Sequence, residues 1–252
     1  MIKVGIIGCC GRMGKTLVNE VNQTTSVTLV GGTEKNPDKN IDHKIFDNNE
    51  SLVKHSDVVI DFTTPLVSLE VAELCSKYGT NHVIGTTGFN DTEQAKLQEF
   101  AKNSVIVADG NMSIGVNLLA LLTEQVAKTL GEDYDIEVLE MHHRYKKDAP
   151  SGTALKLGNA AAKGRGVDLA TKADKIRDGI TGERKIGDIG FATLRGGDVV
   201  GDHTVIFASQ GDRIELTHKA SSRNIFSRGA VRAAIWACSQ KHGLYNMRDV
   251  IF

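Results

Sequence analysis

The sequence predicts an α/β protein: a doubly wound parallel sheet with an inserted region of α+β type. Three observations lead there. In the first half, short apolar runs alternate with helical patterns, the mark of a parallel sheet covered on both faces. Directly after the first run, a glycine-rich turn opens a helix. Beyond Ser113 the pattern changes to longer strand-like runs joined by short turns, which suits a mixed or antiparallel sheet.

The elements follow in order. Ile2 to Gly8 reads as a buried strand, and a helix follows near Gly14 to Val21. Val27 to Thr33 and Asp57 to Phe62 are further strands, then a helix runs from about Leu66 to Tyr78. His82 to Gly85 and Val105 to Ala108 are strands around a polar helix near Thr92 to Lys102. Gly115 to Leu130 is a long apolar helix, and Asp135 to Met141 a strand. A helix opens near Ser151, a residue type suited to capping it. Asp168 to Lys185 is polar and reads as a surface loop. Ile189 to Leu194, Asp198 to Ser209 and Arg213 to Lys219 are strands, the last two joined by a hairpin at Gln210-Gly211-Asp212. Asn224 to Gln240 is an apolar-periodic helix.

Composition excludes several classes. A net charge of −1 argues against a dedicated nucleic-acid binder. No apolar run approaches the roughly 20 residues of a membrane span. The N-terminus shows no cleavable signal pattern, so a cytoplasmic location is expected. Cys9, Cys10, Cys75 and Cys238 form no metal-binding spacing, so no metal is expected and the thiols read as reduced and packed. His43, His55 and His242 read as surface residues, His203 and His218 as satisfied structural histidines, and Trp236 as core or interface.

Gly8-Cys9-Cys10-Gly11-Arg12-Met13-Gly14 lies between a strand and a helix. Glycines there bring backbone N–H groups close to a pyrophosphate at the helix N-terminus, as in Rossmann-like dinucleotide domains. Glu34, at the end of the second strand, can accept from adenosine ribose hydroxyls. Glu34 favours NADH, whereas Lys35 and Arg12 could hold the 2′-phosphate of NADPH. Gly85-Thr86-Thr87-Gly88 and Asp109-Gly110-Asn111-Met112 put small and polar groups at two more strand ends, where an open α/β sheet binds ligands.

The segment from Glu140 to Ala154 is the most informative. His142, His143, Arg144, Lys146 and Lys147 are five potentially cationic side chains within six positions. Pro150-Ser151-Gly152-Thr153 then starts a helix. Cations beside a helix N-terminus suit an anionic substrate, and histidine exchanges protons near neutral pH.

Together, Gly8-x-x-Gly11-Arg12-Met13-Gly14, Asp61-Phe62-Thr63 with Pro65, Gly85-Thr86-Thr87-Gly88-Phe89 and His142-His143-Arg144-Tyr145-Lys146 with Asp148 to Ala154 resemble the dihydrodipicolinate (4-hydroxy-tetrahydrodipicolinate) reductase family. Gly190-Phe191-Ala192, Arg195-Gly196-Gly197-Asp198 and Leu216 to Ala220 extend the resemblance through essentially the whole chain. The resemblance implies a dinucleotide domain of residues 1–113 plus 224–252 and a substrate-binding and tetramerisation domain of residues 114–223. It implies NADPH or NADH as hydride donor, a cyclic imine dicarboxylate as substrate, and a place in lysine and diaminopimelate biosynthesis. By motif position His142 and Lys146 match the family's acid catalysts, and His143, Gly152 and Thr153 its substrate contacts, with Ser151 beside them. Gly8 to Met13, Glu34, Gly85 to Thr87 and Asp109 to Met112 match its cofactor contacts. Asp109-Gly110 and Lys35 depart from the family's common residues. The other readings are another two-domain dehydrogenase of amino-acid metabolism, or a nucleotide-sensing regulator without turnover. Neither accounts for the segment from His142 to Thr153.

Overall fold

The computed structural model describes residues 1–37 and 41–252. The chain divides into two compact units, Met1–Ile114 with Asn224–Phe252, and Gly115–Arg223.

In the first unit, β1 (Ile2–Ile7) leads through the glycine turn into α1 (Arg12–Gln23), and β2 (Val27–Thr33) returns parallel to β1. There follow α2 (Asn49–His55), β3 (Val58–Asp61), α3 (Pro65–Tyr78), β4 (Asn81–Ile84), α4 (Asp91–Phe100) and β5 (Val105–Ala108). The second unit holds α5 (Ile114–Leu130, starting in the first unit), β6 (Asp135–His142), α6 (Gly152–Arg165), α7 (Leu169–Lys172), β7 (Ala173–Asp174), β8 (Ile189–Arg195), β9 (Gly201–Ser209) and β10 (Asp212–Ala220). The chain then re-enters the first unit with α8 (Asn224–Ala237), β11 (Gly243–Tyr245) and α9 (Met247–Ile251).

The first sheet is wholly parallel, in the order β11-β5-β4-β3-β1-β2. Its strands are apolar on both faces because helices cover both. On one face Leu17, Val18 and Val21 of α1 and Ala230, Val231 and Ala234 of α8 pack on Val4, Ile6, Val58 and Val83. On the other, Leu52 and Val53 of α2 and Val71 of α3 meet Ile7 and Val59, while Leu97 of α4 meets Ile84 and Ile106. The strand order turns outward in both directions from β1 and β3, which opens a crevice at their C-terminal ends.

The second sheet is mixed, in the order β10-β9-β6-β8-β7, with β6 antiparallel to β9 and parallel to β8. Among the described residues, helices cover one face. Ile136 and Val138 of β6 and Val205 and Phe207 of β9 point to α5 and α6, where Leu119, Ala127, Leu157 and Ala161 meet them. Alternation along β6 carries that buried face on to Glu140 and His142.

Several expectations need correction. The expected surface loop 168–185 opens with α7 and β7, which adds a strand to the second sheet. The C-terminal helix ends at Ala237 rather than Gln240, and β11 and α9 follow. The short α2 falls where the sequence predicts no helix. Cys238 is exposed rather than packed, and His43 is largely buried. Trp236 is partly buried, with Tyr245 edge-on at 5.0 Å. No helix among the described residues is long and apolar enough to cross a membrane.

Packing outweighs capping in holding the first unit. Leu17 is fully buried under the sheet, so Leu17→Ala should lower the unfolding free energy by about 2–5 kcal/mol. Asn90 caps α4 by accepting from the Glu93 N–H, and Glu93 reaches back to the Asn90 N–H. Asn90→Ala should cost only about 1 kcal/mol. Urea unfolding of both variants checks the contrast; equal losses would contradict it.

Candidate active site

The glycine turn is built for an anion. Gly8 takes a φ of 71°, and its N–H and that of Cys9 both donate to the Thr33 carbonyl. A Cβ at Gly14 would lie 2.2 Å from the Gly8 carbonyl oxygen, so α1 starts directly against the turn. Among the described residues no side chain caps the N-terminus of α1, which leaves the anion-binding end of the helix to a ligand. Glu34 closes the far side: it accepts from the Cys10 N–H at 3.2 Å and the Lys35 N–H at 2.8 Å. Beside them lies a cavity of about 320 Å³, lined by Gly8, Thr33, Glu34, Lys35 and Thr63 among others. Cys9 and Met112 are each only 1% exposed, so neither offers its side chain to a cofactor. Arg12, Gly11 and Lys35 are exposed, and Met13 and Cys10 half-buried.

Gly85, Thr86 and Thr87 follow β4. Thr86 is buried, its hydroxyl accepting from the Thr63 N–H and lying 2.9 Å from Ser68 Oγ. Beneath them Asp61, fully buried, accepts from Thr63 Oγ1 at 2.6 Å and from Ser68. A cavity of about 460 Å³ opens here, lined by Thr86, Thr87, Asp109 and Gly110 and by Phe89 and Tyr245. Asp109 holds two backbone segments together. Its Oδ1 accepts from the Asn111 N–H, and its Oδ2 from the Met247 N–H at the start of α9. Those bonds give the Asp109 side chain a structural role. The tight turn, the uncapped helix and the two adjoining cavities fit a dinucleotide.

The second unit gathers a polar cluster at one end of β6. Glu140, 1% exposed, sits on the core face where an apolar residue is expected. Besides Thr193 Oγ1 at 3.4 Å, four groups satisfy it. His142 Nδ1 lies 2.5 Å from Oε2, Arg195 Nη1 and Nη2 donate at 2.8 and 3.1 Å, and the Ser151 N–H donates at 3.0 Å. Register produces this: Arg195 is the β8 partner of His142, and His203 the β9 partner of Glu140. Burial alone would raise the Glu140 carboxyl, but Arg195, His142 and the Ser151 N–H outweigh it and hold it below the usual carboxylate range. Burial lowers the His142 imidazole, and Lys146 and Arg195 add to that against the pull of Glu140.

Ser151 is buried; its Oγ caps α6 at the Ala154 N–H and lies 3.1 Å from His203 Nε2. The His203 ring stands edge-on to His142 at 5.0 Å. His142 Nε2 faces Gly201, where a Cβ would come within 3.0 Å. Lys146 is mostly buried, with Nζ 2.9 Å from Asp148 Oδ1. Gly152 is exposed, and His143 and Thr153 are half-buried. The structure thus brings His142 and Ser151 directly together through Glu140. Glu140, Arg195 and His203 are the members that motifs alone do not reveal. One sequence signal marks Glu140: a carboxylate in phase with Ile136 and Val138 on a core-facing strand.

His203 gives a pH test. Burial, then the neighbouring His142, pushes its imidazole down to about 4. The unfolded chain therefore binds the extra proton below its ordinary 6.5, and stability falls as pH drops from 6.5 to 4. This site contributes up to ~1.4 kcal/mol per pH unit. His203→Gln should flatten that part of the curve in denaturant titrations; an unchanged slope would contradict a neutral His203.

Comparison with known proteins gives this arrangement its family. The model for the dihydrodipicolinate reductase N-terminus matches residues 2–112, and that for its C-terminus residues 115–251. A 4-hydroxy-tetrahydrodipicolinate reductase of Roseobacter denitrificans is 47% identical over 99% of this chain and 97% of its own. Another, of Dinoroseobacter shibae, is 49% identical over 98% of this chain and 96% of its own. The solved structure of dipicolinate-bound dihydrodipicolinate reductase from Paenisporosarcina sp. TG-14 is similar at a TM-score of 0.80 and 26% identity, covering 98% of this chain and 97% of that one. Matched in both halves and along nearly its whole length, the chain belongs to the dihydrodipicolinate reductase family.

Proposed function

We propose that this chain reduces 4-hydroxy-tetrahydrodipicolinate to tetrahydrodipicolinate, in lysine and diaminopimelate biosynthesis, with His142 as proton donor and Lys146 beside it. It is an NADH- or NADPH-dependent oxidoreductase. The observation that carries the residue roles is the clamp on His142. Glu140 holds Nδ1, and among the described residues no protein group bonds Nε2.

The dinucleotide supplies a hydride when bound, through the chemistry of its own nicotinamide. The N–H groups of Arg12 and Met13, at the start of α1 beside the turn, receive its pyrophosphate, Glu34 and Lys35 meet the adenosine ribose, and the residues after β4 and β5 line the other cavity. The substrate carries two carboxylates. The N-terminus of α6, at Gly152 and Thr153, takes one. Lys146 exchanges Asp148 for the other, and His143 lies alongside. As negative charge builds on the reduced conjugated ring, His142 delivers a proton from Nε2. Lys146 stabilises that charge electrostatically.

The same physics gives the pH dependence. In the free protein His142 lies below its ordinary pKa; a dianionic substrate beside it favours the charged form and moves it up. The fall in kcat/KM with rising pH therefore begins at lower pH than the fall in kcat.

The uncovered face of the second sheet supports a homotetramer. Leu194, paired with Met141 on that face, is 48% exposed there. Association through this face would bury that apolar surface. The cytoplasm is the compartment proposed, with free cysteines in accord.

Three variants separate the acid from the anion clamp in assays that follow NADH oxidation. His142→Gln should lower kcat by about 10²–10⁴ with KM changed far less. Thr153→Val should chiefly raise KM, as lost uniform binding does. Lys146→Ala should do both. If His142→Gln and Thr153→Val both raise KM with kcat intact, the segment is a binding surface and the acid lies elsewhere.

A further inference from the structure

Cys9 and Cys10 are adjacent free thiols in the turn that opens α1, with sulfurs 4.0 Å apart. Nothing in the reduction reaction calls for a thiol there. Cys10 is half-buried, whereas Cys9 is buried against Gly32. Burial, then the neighbouring Cys10, pushes the Cys9 thiol up to about 12. It therefore stays protonated, and a reagent meets Cys10 first.

Adjacent thiols match one ligand class well. A trivalent arsenic centre bonds two sulfurs at once, and neighbouring cysteines present both from one short stretch of backbone. We propose that Cys9 and Cys10 form a binding site for trivalent organoarsenicals, and that a bound dinucleotide and the arsenical exclude one another.

The step balances without an oxidant. An arsenoxide, R–As=O, condenses with two thiols to give R–As(S)₂ and one water. Two S–H bonds and the As=O bond break, two As–S bonds form, and the two thiol protons leave in the water. Arsenic stays trivalent. Cys10 makes the first bond, and Cys9 closes the ring by turning from Gly32 towards its neighbour.

Closure disturbs the cofactor site because the turn has no slack. A Cβ at Gly14 would already lie 2.6 Å from the Cys9 carbonyl carbon and 2.7 Å from its Cα. The Cys10 N–H is tied to Glu34. Drawing the sulfurs together re-aims the N–H groups assigned to the pyrophosphate, and the R group occupies their open side. This exclusion rests on the reading that the dinucleotide lies on the turn; the dithiol site itself does not.

Phenylarsine oxide on the full-length protein, read by intact mass, tests both parts. Cys75 and Cys238 make no sulfur–sulfur contact among the described residues, so C75S/C238S should still take one arsenical per chain. The adduct should resist 2-mercaptoethanol and yield to 2,3-dimercaptopropanol. In C9S only a monothiol adduct remains, and 2-mercaptoethanol should remove it. At about 100 times its Kd, NADH should slow adduct formation in the unmodified chain about 100-fold, because about 1% of the protein is then nucleotide-free. C75S/C238S that binds NADH yet takes no dithiol-type adduct overturns the site. So does an adduct in C9S that resists the monothiol. An adduct that forms as fast with NADH bound leaves the site standing and overturns the placement of the dinucleotide on the turn.

Discussion

A carboxylate buried among apolar side chains costs several kcal/mol unless its lone pairs are met. Glu140 is such a group, and the end of the second sheet is arranged around meeting it. Arg195 reaches it from β8 with two N–H groups, the first turn of α6 offers the Ser151 N–H, and His142 comes from two residues along the same strand. Each partner is thereby fixed in turn. Arg195 also donates to the Asp148 carbonyl, which ties down the loop that carries Lys146. Removing Glu140 would free Arg195, the Ser151 N–H and His142 at once and leave a guanidinium without its counter-ion. Its contribution is therefore positional more than energetic.

The first unit solves a different problem by subtraction. Its ligand end needs backbone donors rather than side chains, so the turn is short and glycine-rich, and α1 begins without a cap. Side chains enter where loops must be held. Asp61 sits below the crevice and binds Thr63 and Ser68, which in turn hold Thr86. Asp109 performs a similar service for the tail, joining the end of β5 to α9. Both units thus place an acid beneath a polar rim, and in neither is that acid assigned a contact with the reacting groups.

Much of this is legible in the sequence. Parallel strands announce themselves because burial on both faces leaves uninterrupted runs such as Val58 to Ile60. The glycine spacing and the segment from His142 to Thr153 are local, so they stand out along the chain. Glu140 lies two residues before that segment and looks like any residue of a strand; only its phase with Ile136 and Val138 marks it. Arg195 and His203 come from other strands, and it takes the register of β8 and β9 to bring them to β6. Asp109 reads as a cofactor contact, while its bond to the Met247 N–H spans more than half the chain and leaves no local trace. The short α2 carries too few residues to show a period, and β11 becomes a strand only because β5 is there to pair with it.

The central claim is that Glu140 fixes the proton on one nitrogen of His142 and leaves the other to do chemistry. Nitrogen-15 NMR of the histidine rings, followed across pH in the unmodified chain, reads this directly. The neutral His142 ring should carry its proton on Nδ1, in the bond to Glu140, with Nε2 bare, and Nε2 should be the atom that gains a proton as pH falls below the ordinary histidine range. A neutral ring protonated on Nε2 would contradict the account.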